Sequence, residues 1–156
     1  MRGVTNIVIA GLGGQGVITA SDIVADVALQ AGFDVKKSEL HGMSQRGGSV
    51  ASDVRFGREV YSPMVPAGEA DFLVAVEPDQ VSVNAAVLSP SGIIVEPSQF
   101  RVDKLRSKKS LNVALLGALS RHLEFSEEAW IAAITRRLPE KLLEVNLEAF
   151  ALGRGH

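Results

Sequence analysis

The sequence contains no cysteine, which excludes disulfides, thiolate-held iron–sulfur clusters, cysteine-type zinc sites and a thiol nucleophile. Any redox centre that this chain serves must be carried by another molecule. Long apolar runs are also missing. The longest, residues 4–10 and 72–76, fall far short of the roughly 20 residues a membrane-spanning helix needs, and the N-terminus has no signal-peptide pattern. No membrane partner and a cytoplasmic location are therefore expected. There is no basic tract and the formal net charge is -2, so a nucleic-acid partner is not expected either. Internal repeats and low-complexity tracts are absent.

What is present is the composition of an ordinary globular chain: 156 residues, 46% hydrophobic and 22% charged. That length suits one domain, residues 1–156, able to bury a core. "NIVIAGLGGQGVITASDIVADVALQAGFDVKKSEL" opens with a β-branched run, meets a glycine cluster, and continues with Val17, Ile18, Ile23, Val24 and Val27 at helical spacing up to Gly32. This predicts strand, tight turn, helix and a second strand near residues 34–38, a right-handed βαβ crossover with parallel strands. "SVASDVRFGREVYSP" alternates apolar and polar residues on both sides of residues 56–59, which predicts an inserted β-hairpin turning near Gly57. "ADFLVAVEP" and "GIIVEPS" read as buried strands on either side of a helix-like stretch ending at Val87.

The last third reads as helical. "NVALLGALSRHL" is one apolar helix with Asn112 as a suitable N-cap. Ser126 caps a second, in which Trp130, Ile131 and Ile134 share a face. Pro139 separates it from a third with Leu143, Leu147, Phe150 and Ala151 on one side, and residues 153–156 are expected to fray. The fold class is thus α/β: a mostly parallel, Rossmann-like sheet with an inserted β-hairpin, flanked by helices, with a helical C-terminal third.

Gly11-Leu12-Gly13-Gly14-Gln15-Gly16 matches G-x-G-x-x-G after a strand and before a helix. Glycines in this setting let backbone N–H groups approach a phosphate that the helix N-terminus then favours. The acidic residue expected about 20 positions on for a ribose is replaced by Lys36 and Lys37, with Glu39 a little late. Two readings stay open: a turn for a phosphorylated ligand such as an adenine dinucleotide phosphate or coenzyme A, with the lysines assisting, or glycines that serve only close packing of helix on strand.

Residues 38–50, "SELHGMSQRGGSV", carry more chemistry than a plain connection needs. The stretch follows the second strand at its carboxyl end, where open α/β proteins place ligands. His41, Gln45 and Arg46 offer a titratable ring, an amide and a fixed fork of donors, framed by Met43, Ser44, Gly47 and Gly48.

Gly11 to Gly16, then Glu39 to Ser49, then Ala70-Asp71 leading to Glu77-Pro78, and finally Asn112 to Gly117 together resemble the gamma-type subunit or domain of the 2-oxoacid:ferredoxin oxidoreductases. The "HGMSQRGG" loop is most similar to the small subunit of the indolepyruvate type, and the resemblance extends to the terminal "EVNLEAFALG". It implies a part of an enzyme that decarboxylates a 2-oxoacid on thiamine diphosphate, passes electrons through iron–sulfur clusters to ferredoxin and transfers the acyl group to coenzyme A. This chain would bind none of those cofactors alone. It has no cysteines, no Gly-Asp-Gly segment with a following asparagine pair for thiamine diphosphate and magnesium, and no expected metal ligands.

A larger partner subunit would therefore supply the centres, while His41, Gln45 and Arg46, the candidate catalytic residues, help shape the substrate or coenzyme A entrance, and Gly11, Gly13, Gly14, Gln15, Gly16, Met43, Ser44, Gly47 and Gly48 are the expected ligand-binding residues. Glu77 and Asn112 are expected to act structurally, as caps of the helices they precede. The chain is shorter than the resemblance leads one to expect, with the C-terminal helical region as the place where residues would be missing. The low aromatic content, 5%, argues against stacking an indole on this chain. The rival expectations are a free-standing dinucleotide-dependent oxidoreductase with His41 as its acid–base group, His122 being placed mid-helix, and a non-catalytic scaffolding module.

Overall fold

A computed structural model of the chain describes residues 3–41 and 48–155, with the side chains of Leu40 and His41 outside the description. Five strands form one sheet in the order β2-β3-β1-β4-β5. They are β1 (Val4–Leu12), β2 (Asp34–His41), β3 (Ser49–Gly57), β4 (Ala70–Ala75) and β5 (Leu88–Val95). β1 pairs in parallel with β4, and β4 with β5, whereas β3 runs antiparallel to both β1 and β2. Four strands thus share one direction. The β1–helix–β2 unit has its parallel strands, but they are not neighbours, because the chain returns at once from β2 as β3 and fills the gap between them.

Helix α1 (Val17–Gln30) buries Ala20, Ile23, Val24, Val27 and Ala28 against the sheet. It ends as a Schellman motif, the Phe33 N–H reaching the Ala28 carbonyl at 3.1 Å and the Gly32 N–H the Leu29 carbonyl at 3.0 Å. After β4 come a single turn of helix, α2 (Gln80–Val83), and a 3₁₀ turn over Ala85–Val87. The C-terminal third is α3 (Leu111–Ser120), α4 (Glu127–Arg137) and α5 (Glu140–Arg154).

Alternation along β1 separates two faces. Ile7 and Ile9 join the main core with α1, α3, Trp130, Ile134 and Phe150. Val8 and Ala10 join a smaller cluster with Val65, Ala70 and Leu73. On the helical face Asp26, buried on α1, takes hydrogen bonds from Arg136 Nη2 at 2.8 Å and Arg137 Nε at 2.9 Å and ties the end of α4 to α1. Burial is the largest single influence on its carboxyl and raises the pKa; the hydrogen bonds and charges of the two guanidinium groups outweigh it, and the net shift is downward.

Several details depart from the sequence expectation. The inserted hairpin is β2–β3, not a pair turning at Gly57: β3 is continuous to Gly57, where a Cβ would lie 2.0 Å from the Gly3 carbonyl oxygen. That glycine permits a close approach of two chain segments. The alternating residues after it leave the sheet and are held instead by side chains, with the Val60 N–H on Asp34, the Val65 N–H on Asp53 and the Ser62 carbonyl on Arg55, each at 2.8 Å.

On α4 Trp130 and Ile134 are fully buried, but Ile131 is 37% exposed, one position off the buried stripe. The Ser126 hydroxyl caps α4 by accepting from the Ala129 N–H at 3.1 Å, as expected. Residues 153 and 154 do not fray. Gly153 is buried, a Cβ there would lie 1.7 Å from the Ala114 carbonyl oxygen, and Arg154 donates to the Ser120 hydroxyl at 2.7 Å. Gly117 on α3 makes the reciprocal approach, 2.1 Å from the Phe150 carbonyl oxygen for an added Cβ. Glycine on both helices lets α3 and α5 touch backbone to backbone.

Candidate functional site

The turn after β1 is built by two residues in the left-handed region, Gly14 at φ 88° and Gly16 at φ 76°, where a side chain would be strained. Gln15 folds back between them. Its Oε1 accepts the Leu12 N–H at 2.7 Å and its Nε2 donates to Glu77 Oε1 at 2.9 Å. Gly11 leaves the room for this, since a Cβ there would lie 2.9 Å from Gln15 Oε1. On the other side Asn112 Nδ2 donates to the Gly16 carbonyl at 3.0 Å. Asn112 is 5% exposed, and its Oδ1 has no partner among the described residues.

Glu77 and Asn112 therefore do not act as helix caps. The residue before α2 is Asp79 and that before α3 is Ser110. Both instead clamp the glycine turn from parts of the chain 62 and 96 residues away. The structural role expected for them holds, with a different object.

The turn borders a cleft of about 390 Å³. One wall is Gly14, Gln15, Gly16 and Thr19; the other is Lys108, Lys109 and Asn112 at the start of α3, with Leu138, Leu142 and Asn146 closing the end. The Gly14 and Gly16 amides make no hydrogen bond among the described residues, and the N-termini of α1 and α3 both border the space, so its electrostatic character is that of an anion site. Among the described residues no carboxylate lines it. Lys108 and Lys109 escaped the sequence reading because they stand more than 90 residues from the glycines. The available signal was their position: a lysine pair ahead of the helix that carries Asn112, with Ser107 Oγ accepting the Lys109 N–H at 3.2 Å.

The lysines that were singled out, Lys36 and Lys37, are engaged elsewhere. Lys36 pairs with Asp34 at 3.1 Å. Lys37 pairs with Asp22 and, at 3.0 Å, with Glu39. Burial, the largest influence, lowers the Lys37 pKa, but the two carboxylates prevail and raise it. Neither lines the cleft.

Of the loop, His41 closes β2, and Met43, Ser44, Gln45, Arg46 and Gly47 lie outside the described residues. Gly48 is described: its carbonyl accepts the Gly13 N–H at 3.2 Å. The loop thus returns to the sheet against the glycine turn, and two of the expected ligand-lining segments meet. His122 is not mid-helix but lies in the turn after α3.

These elements define a class first: an α/β domain with an antiparallel hairpin built into an otherwise parallel sheet and a clamped glycine turn at the carboxyl end of its first strand. The family model for pyruvate ferredoxin/flavodoxin oxidoreductases matches residues 6–103 and 98–155, and the chain belongs to that family. The chain is 37% identical to the indolepyruvate oxidoreductase subunit IorB of Thermococcus kodakarensis, over 95% of its own length and 93% of the relative's. It is 36% identical to the same subunit of Pyrococcus horikoshii, with the same shares covered.

Among solved structures, the gamma subunit of a keto/oxoacid ferredoxin oxidoreductase from Geobacter sulfurreducens superposes with a TM-score of 0.83 at 25% identity, over 97% of this chain and 95% of that one. A 2-oxoglutarate:ferredoxin oxidoreductase from Magnetococcus marinus, with 2-oxoglutarate, coenzyme A and succinyl-CoA bound, has the same fold with a TM-score of 0.83 at 24% identity; 99% of this chain corresponds to 31% of that longer one.

The alignment with the Thermococcus relative runs over 188 positions while taking in 95% of a chain of 156 residues. That 95% is about 148 residues, so about 40 of the aligned positions have no counterpart in this chain. The two runs of the family match meet at residues 98–103, and the second continues through α5. The shortening is therefore internal to the matched region.

Proposed function

We propose that this chain, acting as one gamma-type domain over residues 1–156, is the small, non-redox subunit of an indolepyruvate or related aryl-pyruvate:ferredoxin oxidoreductase. The observation that carries the reading is its match to IorB subunits along nearly the whole of both chains. The absence of cysteine supports placing the iron–sulfur clusters, and with them thiamine diphosphate and magnesium, on a larger catalytic partner that reduces ferredoxin. No helix among the described residues is long and apolar enough to cross a membrane; the location proposed for the subunit is the cytoplasm.

Coenzyme A would supply the thiol that takes up the acyl group. The cleft fits a phosphate-bearing ligand of this kind: Lys108, Lys109 and the Gly14 and Gly16 amides would hold phosphate oxygens, and the unpartnered Asn112 Oδ1 would accept a ligand N–H or O–H. The loop with His41, Gln45 and Arg46 would help form the entrance; its described end, Gly48, bonds to the glycine turn at Gly13.

The test is native mass spectrometry of the tagged chain purified from its own cells, with oxoacid-dependent dye reduction on the same fraction. A larger thiamine-containing partner and reduction with indolepyruvate or phenylpyruvate are expected. A chain that arrives alone, or as a homo-oligomer carrying a dinucleotide, refutes the reading.

A further inference from the structure

Two asparagines of the glycine cleft have their amide groups fixed by the protein itself. Asn112 Nδ2 donates to the Gly16 carbonyl at 3.0 Å, and Asn146 Nδ2 donates to the Leu142 carbonyl, one turn back on α5, at 2.8 Å. Each amide is thereby oriented, with its oxygen as the free end. Neither oxygen has a hydrogen-bond partner among the described residues, although Asn112 is only 5% exposed and Asn146 only 7%. An acceptor so deeply placed is costly to leave unmatched, and a ligand N–H relieves that cost.

The rest of the cleft adds two further demands. Leu138, Leu142 and Val76 supply apolar surface, while Lys108, Lys109 and the glycine turn supply positive charge. A ligand that satisfies the whole lining therefore carries an anionic group, an apolar body, and N–H donors on that body. An adenine nucleotide has all three: phosphates, a flat ring, and an exocyclic amino group with two N–H. The volume of about 390 Å³ lies near the lower limit of small-molecule sites, roughly 300–1,000 Å³, so of a molecule as long as coenzyme A the cleft takes one end. Under the function proposed above, on which this step rests, the thiol must reach thiamine diphosphate on the partner subunit. The pantetheine arm then leaves this chain, and the end held here is the nucleotide.

We propose that the glycine cleft reads the adenine base, with the Asn112 and Asn146 oxygens accepting from its amino group, and that Asn146 is the residue that sets base specificity. Asn112 has a second task, since it also holds the Gly16 carbonyl; the side chain of Asn146 reaches only within its own helix. A 6-oxo purine brings a carbonyl to the place of the amino group. Oxygen then meets oxygen, both asparagine acceptors stay unmatched, and the base is rejected. Because the recognition lies in base and phosphate, free adenine nucleotides bind as well, in competition with coenzyme A.

The experiment is isothermal titration of ADP, IDP and 4′-phosphopantetheine into the purified protein together with whatever subunit it carries, and into its Asn146→Ala variant, whose folding a circular dichroism melt verifies. It needs neither turnover nor an oxoacid, so its failure is distinct from failure of the subunit assignment, which the mass spectrometry above reads. ADP is expected to bind saturably and about tenfold more tightly than IDP, with phosphopantetheine weaker than ADP. In Asn146→Ala the affinity for ADP falls while that for IDP does not, so the preference shrinks to a few-fold. Lys108→Ala with Lys109→Ala weakens both nucleotides alike and leaves the preference intact. Equal affinities of the wild type for ADP and IDP overturn the proposal whether or not the variant folds. So does an unchanged preference in folded Asn146→Ala, the absence of ADP binding, or phosphopantetheine binding more tightly than ADP.

Discussion

Gly153→Ala sets two effects against each other. In an open helix, alanine is favoured over glycine by about 1 kcal/mol, so propensity alone predicts a more stable protein. Here the new Cβ would stand 1.7 Å from the Ala114 carbonyl oxygen, 2.7 Å from the Ala114 carbonyl carbon and 3.1 Å from the Ala118 nitrogen. All three are backbone atoms and cannot rotate away. Restoring ordinary contact requires α5 to move off α3 by more than 1 Å, and Phe150, one turn back on α5, packs on Trp130 with centroids 5.9 Å apart. The whole aromatic seam must shift with it.

Overpacking of this kind costs about 1–3 kcal/mol and occasionally more, and with backbone as the obstacle the upper end applies; less the helix gain, a net loss of about 2 kcal/mol results. For a chain of this size each kcal/mol moves the melting temperature by about 2–4 °C, so a fall of about 4–8 °C is expected in a circular dichroism melt. Gly117→Ala, facing Phe150 at 2.1 Å, should behave alike. A melting temperature that is unchanged or raised in both variants would refute the reasoning, because it would mean that the helices do not meet through these glycines.

Asp26→Asn should lower stability by about 1–3 kcal/mol, since at a buried position it replaces the charged carboxylate shared by two guanidinium groups with a neutral amide that keeps one acceptor oxygen and turns an N–H toward the other guanidinium. Because the folded pKa of Asp26 lies below its unfolded value, its contribution is fully present above about pH 4 and is lost as pH falls through the folded value; the difference in urea midpoint between wild type and variant should shrink with acidification in that range. Asn112→Ala removes the bond to the Gly16 carbonyl, and faster amide exchange over residues 13–17 is expected by hydrogen-exchange mass spectrometry. In the assembled complex, Lys108→Ala with Lys109→Ala should raise the KM for coenzyme A about tenfold while leaving the KM for the oxoacid unchanged; equal changes in both would detach these lysines from phosphate binding.

The strands and helices were readable because their patterns are local. β1, α1 and the Ser126 cap follow from apolar spacing and a hydroxyl within four residues of its partner. The glycine turn was readable as a turn. What was not readable was set by distant partners. The stretch after Gly57 alternates like a strand, yet its N–H and C=O groups find Asp34, Asp53 and Arg55 instead of a neighbouring strand, and no periodicity reveals that. Glu77 and Asn112 each stand where a cap would be useful, so the local signal pointed to the wrong acceptor. Lys36 and Lys37 attracted attention by lying near the expected ribose position, while the pair that lines the cleft, Lys108 and Lys109, arrives from the far half of the chain.

The clamped turn also bears on how the chain comes to be ordered. The bond from Gln15 to Glu77 closes a loop of 62 residues, and that from Asn112 to Gly16 a loop of 96. Both closures carry an entropy penalty that local structure does not. As the chain leaves the ribosome, β1 and α1 can form early, but until Asn112 has emerged and α3 has docked the turn between them is held by the local bonds between Leu12 and Gln15 and lacks the bond to Asn112. A nascent chain or fragment ending before that residue would expose the glycine segment without its clamps, so this edge of the domain is completed late in synthesis, in one step with the packing of its C-terminal helices.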